Sequence, residues 1–88
     1  MGMGPCKSGE IRITVKLFGS FRRLSDPGTP GMWSGCVPAG STVGDLFPIL
    51  GTTAREAAAA AVNGKPARWD DILPDGATVY LVPPVGGG

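Results

Sequence analysis

The sequence predicts an α+β fold, a mixed sheet of four to five strands packed on one main helix. Three observations carry that prediction. Ile11, Ile13, Val15 and Leu17 alternate with Arg12, Thr14 and Lys16, the period of a half-buried strand. Val43, Leu46, Phe47 and Leu50 fall at i, i+3, i+4 and i+7, one apolar stripe of a helix. Asn63-Gly64, following the apolar run Ala57–Val62, is a strong hairpin signal and precedes a last β-favouring run, Ala77–Val82.

The elements follow in order. Glu10–Phe18 is the clearest strand, with Phe18 out of place as a large apolar residue on the otherwise polar face. Gly31–Pro38 is a second, weaker strand, placing Met32, Ser34 and Cys36 opposite Trp33 and Val37. It pairs antiparallel with the first and ends at Pro38. Ser41–Gly51 reads as a helix with Ser41 or Thr42 as N-cap, Asp45 near the positive end of the dipole and Gly51 as the left-handed C-terminal residue. Pro48 lies within it and should shorten and kink it.

The run Ala57–Ala61 sets propensity against the turn that follows. Alanine favours helix, but Asn63-Gly64 calls for hairpin arms at Ala58–Val62 and Lys65–Arg68. A strand from about Ala59 is the expectation. Trp69–Gly76 is a turn, and in the last strand Val79 and Leu81 share one face, with Thr78, Tyr80 and Val82 on the other. Trp33 and Trp69 are expected to pack. The order allows the last strand to lie centrally, parallel to the first.

Composition narrows the function classes. The chain has 88 residues with eight basic and seven acidic side chains, a net charge of +1. That balance gives no footprint for nucleic acid or an anionic membrane. No apolar run approaches the roughly 20 residues of a membrane span. The opening MGMGPCKSGE has no apolar signal core. The absence of histidine argues against a zinc site or a Cys–His nucleophile, so no metal is expected. Cys6 and Cys36 are expected as two unpaired thiols of a reducing cytoplasm, with a Cys6–Cys36 disulfide as the alternative. Residues 1–9 are expected to be a flexible extension, 10–83 the domain and 84–88 a flexible C-terminal arm.

The stretches ITVKLFGSFRRL, STVGDLFPIL, AAVNGKPA and LPDGATVYLVPPVGGG together resemble the ubiquitin-like β-grasp sulfur carriers. These include the small subunit of molybdopterin synthase and the thiamine-pathway sulfur carrier. The likeness runs from about Ile11 to Gly88, and its specific part is the final fourteen residues with Val62-Asn63-Gly64. The PPV before the glycines and LFGSFRRL look like the molybdopterin branch, whereas VGGG is also a thiamine-carrier ending. The Gly- and Pro-rich Ser25–Gly40 stretch and the proline in the helix depart from both.

The resemblance implies a protein with no catalytic residues of its own and no bound cofactor. An E1-like adenylating enzyme would use ATP to activate Gly88, and a sulfur donor protein would displace AMP to leave a thiocarboxylate. The large subunit of molybdopterin synthase, or thiazole synthase, would receive the sulfur. Conjugation to lysines as a protein modifier is the alternative from another class. Pro83, Pro84, Val85, Gly86 and Gly87 would form the arm that carries Gly88. Glycine suits a narrow channel because it has no side chain, and the prolines hold the exit extended. Phe18 and Val82 match apolar partner-binding positions of the molybdopterin carriers; a contact under the Ser25–Gly40 loop is the other reading of Phe18. Arg22 either reaches an acidic partner surface or stays solvated.

Overall fold

A computed structural model of the chain describes residues 5–84. Val85, Gly86, Gly87 and Gly88 of the expected arm, and residues 1–4, lie outside the described residues. The strands are β1 (Glu10–Leu17), β2 (Met32–Pro38), β3 (Ala59–Val62), β4 (Lys65–Ala67) and β5 (Thr78–Val82). They form one mixed sheet in the order β2-β1-β5-β3-β4. β5 lies in the middle, parallel to β1 with Thr14 opposite Thr78 and Leu17 opposite Leu81. It is antiparallel to β3, with Ala59 opposite Val82. The last strand is thus hydrogen-bonded along both edges, central and parallel to the first as the sequence predicts.

One face of the sheet carries the core. Ile13, Val15 and Leu17 from β1, Val37 from β2, Ala60 from β3 and Val79 and Leu81 from β5 are buried there. Val43, Leu46, Phe47 and Leu50 cover them, joined by Phe21, Leu73 and Ala77. Trp69 packs edge-on against Phe47, ring centroids 5.3 Å apart. Trp33 is half-buried over Gly35 on the same face of β2, so close that a Cβ at Gly35 would stand 2.7 Å from the indole. Both tryptophans pack, as expected.

The helix is shorter than the periodicity suggests. The stripe is buried, but only α1 (Leu46–Leu50) is helical, ending at Gly51 with φ +87°. Two causes act together. Pro48 has no N–H and is tolerated only in a helix's first turn, where that donor has no partner anyway. Residues 42–44 are also held by another segment: Thr42 bridges Ile72, and the amides of Val43 and Gly44 donate to the carbonyls of Asp71 and Trp69. The capping signal is real but closes a turn. Thr42 N donates to Asp45 Oδ2, and Asp45 N donates back to Thr42 Oγ1. Ser41 does not cap; its hydroxyl donates to the Pro38 carbonyl.

The alanine run resolves as the hairpin requires. Ala54–Glu56 is one turn of 3-10 helix, and β3 begins at Ala59. Asn63 and Gly64 have φ of +51° and +85°, the paired positive values of a type I′ turn, and Val62 faces Lys65 across it. Asn63 Oδ1 also accepts the Thr78 amide, locking the hairpin to the start of β5.

The cysteines are not free thiols: Cys6 and Cys36 form a disulfide, Cα atoms 5.7 Å apart. A turn ahead of β1 makes this possible. Lys7 N donates to Glu10 Oε1, and Glu10 N donates to the Lys7 carbonyl around Gly9, whose φ is +85°. The Ala39 amide then donates to the Gly9 carbonyl, laying residues 5–9 beside the end of β2. Spacing along the chain cannot reveal this, because the two cysteines are 30 residues apart and only the turn brings them together.

Candidate functional site at the C-terminal exit

The candidate site is built where β5 leaves the sheet. The Val82 carbonyl accepts the Ala58 amide at 2.8 Å, so the last strand residue is still tied to the chain entering β3. On the other side β1 gives way to a 3-10 helix, Gly19–Leu24, which buries Phe21 as its anchor. Between these two flanks stands Pro83. Its ring lies against Gly19 so closely that a Cβ there would be 2.8 Å from the proline Cγ. Gly19 also has φ +54°, a region that side chains disfavour. Both demands select glycine. The turn after the first strand is therefore shaped to seat the first residue beyond the last strand.

Beside this exit lies the sheet's second face. Phe18 is 44% exposed and its ring stacks on Tyr80, centroids 6.1 Å apart with 16° between planes. Lys16 opposes Tyr80 in the register, and Val82, half-buried, continues the same face. Phe18 thus stands on the face away from the core with Tyr80 as its ring contact, and the Ser25–Gly40 loop meets β1 at the preceding residue, where the Leu17 amide donates to the Gly31 carbonyl. That loop is fastened at the other sheet edge by Asp26, whose amide donates to the Met32 carbonyl and whose carboxylate accepts the Ser34 amide. Of the predicted partner residues, Phe18 and Val82 come together at the exit. Arg22 is exposed on the adjoining 3-10 helix, and Pro84 is exposed beyond Pro83.

The flank formed by Ala54–Glu56 is clamped electrostatically. Arg23 Nη2 donates to Glu56 Oε1 at 2.8 Å, and the Thr52 hydroxyl donates to Oε2 at 2.6 Å. The Thr52 hydrogen bond first, and the Arg23 guanidinium second, hold the Glu56 carboxyl below the usual carboxylate range. A depressed acid contributes stability that is complete above its unfolded pKa and is lost as pH falls through the lower folded value. Glu56→Gln is expected to lower stability slightly at neutral pH, by the small amount an exposed pair contributes, and to converge on the wild type in acid, which flattens that part of the acid slope. Urea unfolding in acid and at neutral pH checks it; an unchanged acid slope would discard the clamp.

The chain matches the sequence model of the ThiS family over residues 15–88, nearly all of its length. It belongs to the ThiS family. No curated protein matches it. Among solved structures, this ThiS-family chain is similar to the Haloferax volcanii HVO 2177 protein (TM-score 0.72, 22% identity, covering 98% of this chain and 94% of that one). It is also similar to a Pyrococcus furiosus protein described as molybdopterin converting factor, subunit 1 (TM-score 0.65, 28% identity, 85% and 99% covered). A third neighbour is SAMP1 from Haloferax volcanii (TM-score 0.66, 22% identity, 88% and 99% covered). The fold is the ubiquitin-like β-grasp of these neighbours.

Two residues of the ThiS-family exit escape a reading of the sequence alone. Tyr80 shares a face with Val82 by simple alternation, so the signal exists, but only the parallel register with β1 places Phe18 on its ring. Gly19 carries no signal, because its role depends on a residue 64 positions later and on the crossing of two strand ends.

Proposed function

We propose that this ThiS-family chain is a sulfur carrier and co-substrate, with no catalytic side chains of its own and no bound cofactor. The observation that supports it best is the exit: a central strand hands the chain to Pro83, seated on Gly19, five residues before Gly88. A carboxylate is a poor acyl donor. An E1-like adenylating enzyme would join the Gly88 carboxylate to the α-phosphorus of ATP, releasing pyrophosphate. The terminal sulfur of a donor protein's persulfide would then displace AMP from the carbonyl, and a second thiol would cleave the resulting acyl disulfide, releasing the thiocarboxylate and leaving the donor cysteine in a disulfide with that thiol. Each step requires the terminus to enter another protein's active site, which an arm of Pro84, Val85 and Gly86-Gly87-Gly88 suits by its lack of bulk at the tip.

The recipient we favour is the large subunit of molybdopterin synthase, which makes the chain that enzyme's small subunit. PPV ahead of the glycines, LFGSFRRL and the 28% identity to the Pyrococcus furiosus protein support this branch. Thiazole synthase is the second reading, favoured by the VGGG ending. In either case the protein would work in the cytoplasm among its partners, without nucleic acid or membrane. Phe18 and Val82, with Tyr80 between them, would form the apolar docking face and Arg22 would sit at its rim. Among the described residues no helix is long and apolar enough to cross a membrane.

Intact mass of the protein, incubated with its E1-like enzyme, ATP and a sulfur donor, tests the proposal. One oxygen-to-sulfur exchange localised to Gly88 is the expected result. Adducts on lysines instead would make the chain a protein modifier, and no change at all would end the carrier reading. Supplying the sulfurated chain to each large subunit separates the two pathways.

A further inference from the structure

We propose that Lys16, Arg22 and Arg55 form a cationic rim around the arm's root that docks on an acidic protein groove; this rests on the carrier reading above. The three come from three different elements. Lys16 is on β1, opposite Tyr80 and two register positions short of Val82. Arg22 is on the 3-10 helix that follows Phe18. Its Nε reaches to 3.9 Å from where a Cβ on Gly31 would stand, and the Gly31 carbonyl accepts the Leu17 amide. Arg55 precedes by three residues Ala58, whose amide bonds the Val82 carbonyl. Sequence spacing hides the cluster, since 39 positions separate Lys16 from Arg55.

Among the described residues the rim's charge is not consumed. None of the three forms an ion pair with a described residue; the pair at this end is Arg23–Glu56. The two acids nearby are already engaged, Glu56 by Arg23 and Thr52, and Asp26 by the Ser34 amide. The other acids lie elsewhere. Glu10 and Asp75 are at the far end of the sheet, where Asp75 accepts the Arg12 amide. Asp45, Asp70 and Asp71 are on the linked segments of the covering layer. A chain of net charge +1 therefore presents a locally positive end.

The pattern identifies the partner's chemistry. Phe18 and Tyr80 supply a stacked aromatic centre, with Lys16 opposite Tyr80 in the register and Arg22 four residues past Phe18. An apolar centre with a polar rim, enriched in aromatic residues and arginine, is the anatomy of a protein–protein interface. A binder of nucleic acid would instead carry a continuous basic track and a high net positive charge. The Lys16 stem, half-buried on this face, can cover apolar surface while its ammonium stays in water. Rim charges act mainly on the association rate and its salt dependence.

The test is stopped-flow association of the full-length chain with its E1-like adenylating enzyme across ionic strength, with adenylate formation as a second readout. The triple variant Lys16→Gln, Arg22→Gln, Arg55→Gln is expected to associate roughly tenfold more slowly at low salt and to lose most of the salt dependence. Adenylate formation at sub-saturating concentration should slow in step. The double variant Arg22→Gln, Arg55→Gln, which leaves the half-buried Lys16 alone, should fall between. Lys65→Gln with Arg68→Gln, away from the exit, should keep the wild-type rate. A wild-type rate and slope in the triple variant would overturn the rim. So would an oligonucleotide losing its binding while the enzyme does not. A wild type that is never adenylated would sink the carrier reading itself, and the rim with it.

Discussion

A chain ending at Gly86 is expected to melt like the full-length protein and to accept no sulfur. The first half of that expectation follows from where the core lies. Its buried residues run from Ile13 to Leu81, and the last strand ends at Val82. Among the described residues, the last hydrogen bond at the exit is on the Val82 carbonyl, and the packing that seats it is Pro83 on Gly19. Removing Gly87 and Gly88 takes away none of this. The second half follows from reach. Two residues span at most about 7 Å of extended chain. A carboxylate held that far short of bound ATP cannot approach the phosphorus it must attack, and reacting atoms have to come within roughly 3.5 Å. Thermal unfolding followed by circular dichroism, together with ATP–pyrophosphate exchange by the E1-like enzyme, measures both halves. Sulfur transfer that survives the deletion would remove the arm from the mechanism.

The second large effect is expected at the opposite end of the sheet. Opening the Cys6–Cys36 disulfide, by reductant or by Cys6→Ser with Cys36→Ser, should lower the unfolding free energy by ~3 kcal/mol. The bridge closes a loop of 30 residues in sequence separation. For a loop of that size the chain-entropy relation gives ~3–4 kcal/mol, and measured disulfides often deliver somewhat less. In a domain of this size the loss corresponds to a fall in melting temperature of roughly 10–25 °C. Adenylation of the folded protein should nevertheless be unchanged. Cys36 lies opposite Arg12 in the register, six residues back along β1 from Phe18, or roughly 20 Å at a strand's rise per residue. Melting curves with and without reductant, paired with initial adenylation rates at low temperature, check the two halves separately. Equal melting temperatures would show that the bridge is not closed in solution. A changed rate in the folded protein would show that the two ends of the sheet communicate.

What could be read beforehand divides along physical lines. Elements specified by local chemistry were legible. β1 follows from alternation, the hairpin from an Asn-Gly pair that tolerates positive φ, and α1's end from Gly51. Elements decided by competition between segments were not. Val43 and Gly44 sit on a sound helical stripe, yet their amides are taken by residues 69–71, a choice no window around them contains. The disulfide belongs to the same class, as it needs the Gly9 turn and the β1–β2 register together. At the exit, Phe18 announced itself by sitting on the wrong face. Gly19 did not, since a glycine after a strand is ordinary until the residue stacked on it is known.

The seat of Pro83 on Gly19 has a mechanical meaning. Gly19 immediately follows Phe18, so the exposed aromatic pair and the seat of the exit are set by consecutive residues of one turn. On the carrier reading, a partner that gripped Phe18 would thereby fix the bearing on which the chain leaves Pro83. Docking and aiming would then be a single operation, and on the proposed function each successive enzyme would meet the cargo at the same bearing from a shared handhold.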